Sequence, residues 1–436
     1  MLAAARAWWT PVLAAIVVLA ASFAQPSCVG ARDIRLEAMR SLVDLNRTYM
    51  GDPEPSIRAA ARLARDPRAP IYDAEMRVGS AFIYPPIAAL PYAPLARVAP
   101  NVAHARLAAV SHVLFVIVAL LVWRLAARRA DAIDVAAVAA GCVVFYPLVH
   151  AVELNQATLA VTALVGAAWV LIERPALAGI AFALAIAIKP HLALALPLLW
   201  WHARRMVVAA LASGVVLVVA SIAYAGIANH VAYATRVAPI LSHGYAYYAN
   251  QAPNGFFYRL LVDDDIGVFR RAPESRAVAA LTAIASIAIL AAAFAIARRA
   301  RKAPSAAPWV FAIAWLAATL ASPVAWQHHF APSLFVFALL WRTLREGTRD
   351  RWIVAGAAGA FALVASYFEV RQLRGVASRA LASYVLAGAL VLFATLARAT
   401  RLAAAQSAKS ASGHGPPARG DAAHELPPAD GGAATQ

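Results

Sequence analysis

Residues 206–226 read MVVAALASGVVLVVASIAYAG, without one charged side chain, and are entered through Arg204 and Arg205. As a helix rising 1.5 Å per residue, this run covers about 30 Å, the thickness of a hydrocarbon core. In lipid each peptide group must find its hydrogen bond inside the segment, so the run has to be helical. Working outward, comparable apolar runs recur near 9–26, 105–124, 134–150, 156–172, 176–188 and 191–201. Others follow near 277–298, 308–326, 330–342, 352–368 and 379–398. Together they predict an all-α polytopic membrane protein of about twelve transmembrane helices, several of them short and tilted or broken at proline. With 62% hydrophobic and 14% charged residues, the 436-residue chain is not a string of soluble domains.

The net charge of +17 would point to nucleic acid in a soluble protein. Here the excess sits in short clusters between apolar runs: Arg124/Arg128/Arg129, Arg204/Arg205, Arg298/Arg299/Arg301/Lys302 and Arg342/Arg345/Arg349/Arg351, joined by Arg398 and Arg401. All fall on one side when Met1–Ala24, which also resembles a signal peptide, stays as an uncleaved first span. The positive-inside rule then makes that side cytoplasmic, with both termini on it, in the plasma (inner) membrane, and no nucleic-acid partner is called for. Residues 1–402 read as one integral membrane domain. Residues 403–436, rich in Ala, Gly, Pro and Ser without periodicity, read as a disordered cytoplasmic tail. Cys28 and Cys142 fall in different environments and predict no disulfide.

The opposite side receives a first large loop, 25–80, whose nine basic and eight acidic residues balance. It also receives the turn around Asn155, Lys189-Pro190, a second large loop, 227–276, and Gln327-His328-His329. Between these, residues 81–100 are apolar but carry Pro85, Pro86, Pro91, Pro94 and Pro100, which predicts a membrane-hugging or re-entrant segment rather than a straight span.

The polar residues gathered on this outer side are the candidates for chemistry. Asp52, in Gly51-Asp52-Pro53-Glu54-Pro55, is a carboxylate that could take a proton from a hydroxyl, although Asp33, Asp44, Glu54, Asp66 and Asp73 compete for the role. Lys189 ends an apolar segment, where an ammonium either snorkels to the interface or holds a phosphate as a point charge. Adjacent His328 and His329 face different sides of a helix, so they suit phosphate or hydroxyl hydrogen bonding better than a shared metal, and a Trp/His interfacial belt is the plainer alternative. Asn250-Gln251-Ala252-Pro253-Asn254-Gly255, followed by Phe256-Phe257-Tyr258-Arg259, combines amides and aromatics that suit a sugar, or is simply a turn. Asp263-Asp264-Asp265 reads as a solvated loop, and Glu153, Asn155 and Gln156 as helix caps. No phosphate-binding Walker loop, dinucleotide fingerprint or zincin motif occurs.

In order and spacing these pieces resemble the family 87 glycosyltransferases, membrane enzymes of the GT-C class. The resemblance covers residues 50–345: the acid before Ala59-Ala60, Pro70-Ile71-Tyr72-Asp73, Phe82-Ile83-Tyr84-Pro85-Pro86, Asn155-Gln156, Ile188-Lys189-Pro190, Asn250-Gln251, Gly255, Arg259, Ser322-Pro323, Trp326 and His328-His329. It implies a polyprenyl-phosphate-linked sugar, often mannose, as donor and a lipid or glycan as acceptor, joined on the extracytoplasmic side; such a transfer calls for no metal or cofactor, because the leaving group is a monophosphate and cations are already present. It implies Asp52 as catalytic base, and Lys189, Arg259, His328, His329, Asn250, Gln251, Gln156 and Tyr84 as contacts to donor phosphate or sugar. The chain departs from the family pattern at Pro53, Pro55 and Ser56, where aromatics usually follow the acid, at Asn155 in place of Gly, and at Ala252 in place of Ser. The alternatives are a secondary transporter or lipid-linked sugar flippase, against which the one-sided polar residues and the lack of repeated halves argue, and a scaffold without chemistry.

Overall fold

The computed structural model describes residues 34–51, 53–72, 81–127, 131–348, 350–371 and 375–411, with the isolated positions 16, 17 and 20. Among these the regular elements are all helices, and the only strand-like pairing is a single bridge between Asn250 and Trp326. Two helices precede the proline-rich segment: α1 (Ile34–Arg40) and α2 (Glu54–Arg65). Residues 81–100 form no long helix; their prolines leave two tight 3-10 turns, Pro86–Tyr92 and Leu95–Arg97. The bundle follows: α3 (Pro100–Ala126), α4 (Ala132–Val144), α5 (Tyr146–Glu153), α6 (Ala157–Val170), α7 (Pro175–Ile188), α8 (Leu196–Ala232), α9 (Ala238–His243), α10 (Pro253–Leu261), α11 (Arg276–Arg299), α12 (Ala307–Leu320), α13 (Ser333–Arg345), α14 (Arg351–Val364), α15 (Val376–Leu381) and α16 (Tyr384–Ala411).

The expected count of about twelve spans is not reached among the described residues. Four helical segments are long and apolar enough to cross a membrane: α3, the unit Pro190–His243 containing α8 and α9, α11 and α16. Counting α4 and α5 as one broken span makes five; they bend by 56° at Phe145, where Pro147 in the first turn of α5 cannot continue the α4 ladder. The apolar runs at 156–172, 176–188, 308–326 and 352–368 become the 14-residue helices α6, α7, α12 and α14. Each is about 21 Å long, short of the roughly 30 Å core. The run at 9–26 lies outside the described residues, apart from three positions.

Two neighbouring runs, 191–201 and 206–226, belong to one helical unit kinked at Ala203, and helix continues past Gly226 (φ +69°) to His243. The expected loop from 227 therefore starts later. At the other end α16 runs past Ala403 to Ala411.

Packing separates protein-facing from lipid-facing apolar surface. Helix α12 is buried from Trp309 to Leu320, as expected of a helix apolar all round at the centre of a bundle. Helix α11 instead exposes Ile284 and Ile287 (66% for the latter), and α8 exposes Val215 and Val216, apolar faces of the kind that lipid covers. Helices α7 and α8 approach so closely at Gly179 that a Cβ would lie 2.5 Å from that of Ala209, a small-residue contact of the kind helices in lipid use.

Candidate active site

Chain segments far apart in sequence converge on one cavity of about 320 Å³: Pro55-Ser56, Phe82–Tyr84, the α5–α6 turn with His150 and Gln156, Tyr245–Ala249 and Trp326–His328. A second, larger cavity between α4, α13 and α14 is lined almost wholly by aliphatic and aromatic groups and brings no such polar residues together.

The turn that carries Gln156 depends on Asn155, which holds φ +48°. Glycine reaches that conformation freely, and asparagine is among the few side-chain residues that adopt it. Asn155 then ties three elements together. Ser111 Oγ donates to its Oδ1 (2.8 Å), and its Nδ2 donates to the Tyr49 carbonyl (3.3 Å). The Tyr49 amide donates to the Glu153 carbonyl (2.5 Å), so the chain just before residue 52 is laced to this turn. Asp52 itself lies outside the described residues, as do Asp33 and Asp73. Tyr84 Oη donates to Gln156 Oε1 (3.0 Å), and these two predicted residues meet in the cavity wall.

The basic group forms at the end of α7. Pro190 forces Lys189 into extended geometry (φ −127°, ψ 89°), which ends the helix and turns the lysine out of it. Its buried ammonium donates to His329 Nε2, which leaves His329 as the Nδ1–H tautomer. His328 and His329 sit on the 3-10 turn Gln327–Phe330 with ring centroids 4.8 Å apart. His328 Nε2 and His329 Nδ1 are buried without a hydrogen-bond partner among the described residues. Burial, and after it the Lys189 charge, hold both rings well below the ordinary histidine value, so they are neutral at pH 7. His150, 6.0 Å from His328 between centroids, stacks on Tyr146 and is held at Nδ1 by Glu153 Oε2 (2.8 Å). His191 stacks 6.2 Å from His329. No group of three or more His, Cys, Asp or Glu among the described residues is arranged to hold a metal ion.

Aromatic rings form the facing wall. Trp326 lies 5.6 Å from Tyr245, 6.2 Å from Tyr247 and 5.4 Å from Phe269 between centroids. Such rings offer flat apolar faces beside polar handles, which suits a sugar.

Asn250, Gln251 and Arg259 lie behind this wall rather than in it. Asn250 Nδ2 donates to the Tyr245 (3.1 Å) and Pro323 (3.3 Å) carbonyls, while its Oδ1 accepts from the Ala325 amide (3.1 Å). Gln251 Nε2 donates to the Tyr248 (2.6 Å) and Ala382 (2.8 Å) carbonyls. Arg259 is fully buried; Nη1 donates to the Tyr247 (3.1 Å) and Asn250 (2.9 Å) carbonyls, and Nε (3.3 Å) and Nη2 (2.6 Å) donate to Ser383 Oγ. Burial pulls its guanidinium down to about 9, which leaves it charged at neutral pH. Gly255 completes the brace, since a Cβ there would sit 2.3 Å from the Asn250 carbonyl oxygen. These residues fasten the 245–251 and 323–326 segments to the α15–α16 junction and so hold the aromatic wall in place. The aspartate run is likewise structural: Asp264 is buried against Arg270, and Asp263 pairs with Arg379 at 2.6 Å.

Of the residues the sequence singles out, Tyr84, Gln156 and His328 line the cavity, and Lys189 with His329 backs it. His150, His191 and the Tyr245–Tyr247–Phe269 rings are additions. The aromatic density of Gly244-Tyr245-Ala246-Tyr247-Tyr248 is a signal for the rings; a single histidine six residues ahead of Gln156 carries none. The family model described as Glycosyltransferase family 87 matches residues 82–323, more than half of the chain. No curated protein and no solved structure matches.

Proposed function

This chain belongs to glycosyltransferase family 87, and from that membership we propose that it transfers a sugar, mannose first among the candidates, from a polyprenyl-phosphate donor to a lipid or glycan acceptor at the extracytoplasmic face of the plasma (inner) membrane. The observation that carries the reading is the meeting of a buried lysine–histidine pair with an aromatic wall around a cavity in an apolar helical bundle. A cation beside hydrogen-bonding imidazoles suits the phosphate of such a donor, and the rings suit its sugar.

In this scheme the acceptor oxygen attacks the anomeric carbon as its proton passes to Asp52, and the bond from that carbon to the phosphate oxygen breaks. Two observations favour Asp52. The chain at Tyr49 is hydrogen-bonded to the α5–α6 turn, and Pro55 and Ser56 line the cavity. Charge developing on the phosphate is met by Lys189, with His328 and His329 as hydrogen-bonding partners. Tyr84 and Gln156 contact the sugar. Asn250, Gln251 and Arg259 act by positioning the wall, because their polar atoms are already engaged with the backbone and with Ser383.

The test is sugar transfer by purified protein in detergent, from polyprenyl-phosphate-mannose to a crude acceptor lipid extract, with wild type beside Asp52→Asn. Loss of roughly 10²–10⁴-fold in turnover by a folded variant is expected for a general base. Full activity in the variant would move the base to another carboxylate. Donor binding without transfer by wild type would favour the flippase.

A further inference from the structure

Glu153, His150, His328, His329 and Lys189 follow one another as neighbours, His150 and His328 lining the cavity, and the scheme above leaves Glu153 and His150 unused. Glu153 is joined to His150 by a 2.8 Å hydrogen bond, the His150 and His328 rings are 6.0 Å apart, the His328 and His329 rings 4.8 Å, and His329 accepts from Lys189. An ionised carboxylate only accepts, so Glu153 holds His150 as the Nδ1–H tautomer and leaves Nε2 as an open acceptor on a ring that lines the cavity. The Tyr146 ring, stacked at 4.9 Å, fixes its orientation. Between the two ends lie the buried ring nitrogens without partners, His328 Nε2 and His329 Nδ1. Such atoms cost stability when nothing meets them, and a molecule that offers both donors and acceptors would engage them.

We propose that His150 and His328 form a proton relay that carries the acceptor hydroxyl's proton across the cavity to the departing phosphate. The relay rests on the glycosyltransferase reading. In the transfer step the acceptor O–H bond breaks, a bond forms from that oxygen to the anomeric carbon, and the bond from that carbon to phosphate breaks with its electron pair. The proton, once taken from the acceptor, moves to His150 Nε2, giving an imidazolium that Glu153 stabilises. It passes to His328 and then to a phosphate oxygen, so the lipid monophosphate leaves as the monoanion. His329, kept as the Nδ1–H tautomer by Lys189, donates to the same phosphate. Ring spacings of this size are covered by a direct hydrogen bond or by one bridging hydroxyl or water. The relay answers a need of a cavity walled by aromatic side chains: a proton released on one side must leave before the next turnover.

The experiment compares wild type, His150→Gln, His328→Gln and Glu153→Gln in the polyprenyl-phosphate-mannose assay, reading kcat, donor KM and the solvent deuterium isotope effect. His150→Gln is expected to lower kcat by roughly 10²-fold, the lower end for proton-transfer groups, with donor KM little changed and a larger isotope effect. Glu153→Gln should lower it less. Unchanged kcat in a folded His150→Gln protein, or a loss confined to KM, would overturn the relay. The ¹⁵N resonances of histidine-labelled wild-type protein provide a readout without turnover and without any variant that must fold. The relay requires the Nδ1–H tautomer at His150, and an Nε2–H tautomer there overturns it. Failure of wild type to transfer any lipid-linked sugar would overturn the underlying reading instead.

Discussion

Replacing Arg259 by lysine separates two roles for this residue. As a phosphate ligand it would act through its charge, which lysine keeps. As a brace it acts through its planar fork, which lysine lacks. The fork spends two contacts on the Tyr247 and Asn250 carbonyls and two on Ser383 Oγ, all in a fully buried site. A single ammonium can keep one of these directions and, because the Tyr247 carbonyl also accepts from the Asn250 amide, leaves at least one buried acceptor unmet. A hydrogen bond from a charged donor is worth about 1.5–3 kcal/mol, and each stranded buried group costs about 1–3 kcal/mol. Arg259→Lys should therefore destabilise the protein by about 3–5 kcal/mol. Arg259→Met, which also removes the buried charge and its desolvation cost, should destabilise it less than the breakage of a buried charge network would suggest. Thermal unfolding in detergent, followed by tryptophan fluorescence, is informative because Trp326 lies in the wall the brace supports. Sugar-transfer kinetics on the surviving folded fraction complete the comparison. An Arg259→Lys protein with wild-type thermal stability and a raised donor KM would refute the brace and restore the phosphate contact.

Other outcomes follow from the same structure. Asn155→Ala should cost about 2–4 kcal/mol, from the left-handed backbone and the two lost hydrogen bonds, whereas Asn155→Gly keeps the backbone and should cost less; thermal unfolding of the pair gives the order. Gly255→Ala should destabilise by about 1–3 kcal/mol, because the new methyl meets the Asn250 carbonyl, and wild-type stability would mean that this turn yields. Trp326→Ala should raise KM for the sugar substrate more than it lowers kcat; the reverse split would remove the ring from sugar binding. His328 and His329 are held below their unfolded value near 6.5, so the unfolded chain binds more protons between the folded and unfolded values. Stability is then full above about pH 6.5 and falls as pH drops, by up to about 1.4 kcal/mol per pH unit for each histidine. A melting temperature unchanged from pH 7.5 to 5 would contradict this.

The helical, membrane-embedded character of the chain is legible in the sequence by itself, because lipid admits no unsatisfied peptide groups and long uncharged runs have no other stable form there. So is the end of α7 at Lys189, which follows from the proline after it, whereas the left-handed backbone at Asn155 emerges only from the structure. Span number was not legible in the same way. A 14-residue apolar run such as Ala307–Leu320 reads alike whether it faces lipid or, as here, other helices, since both neighbours are equally apolar. The candidate site divides along the same line. Sequence order singled out Lys189, His328, His329, Tyr84 and Gln156, but that Lys189 reaches His329 across 140 residues is a matter of packing. Sequence also offered Asn250, Gln251 and Arg259 as ligands on the strength of their polar chemistry. Only the tertiary structure decided their place: a donor or acceptor is available to a substrate only if the backbone has not already engaged it, and that depends on which distant carbonyls the fold brings within reach.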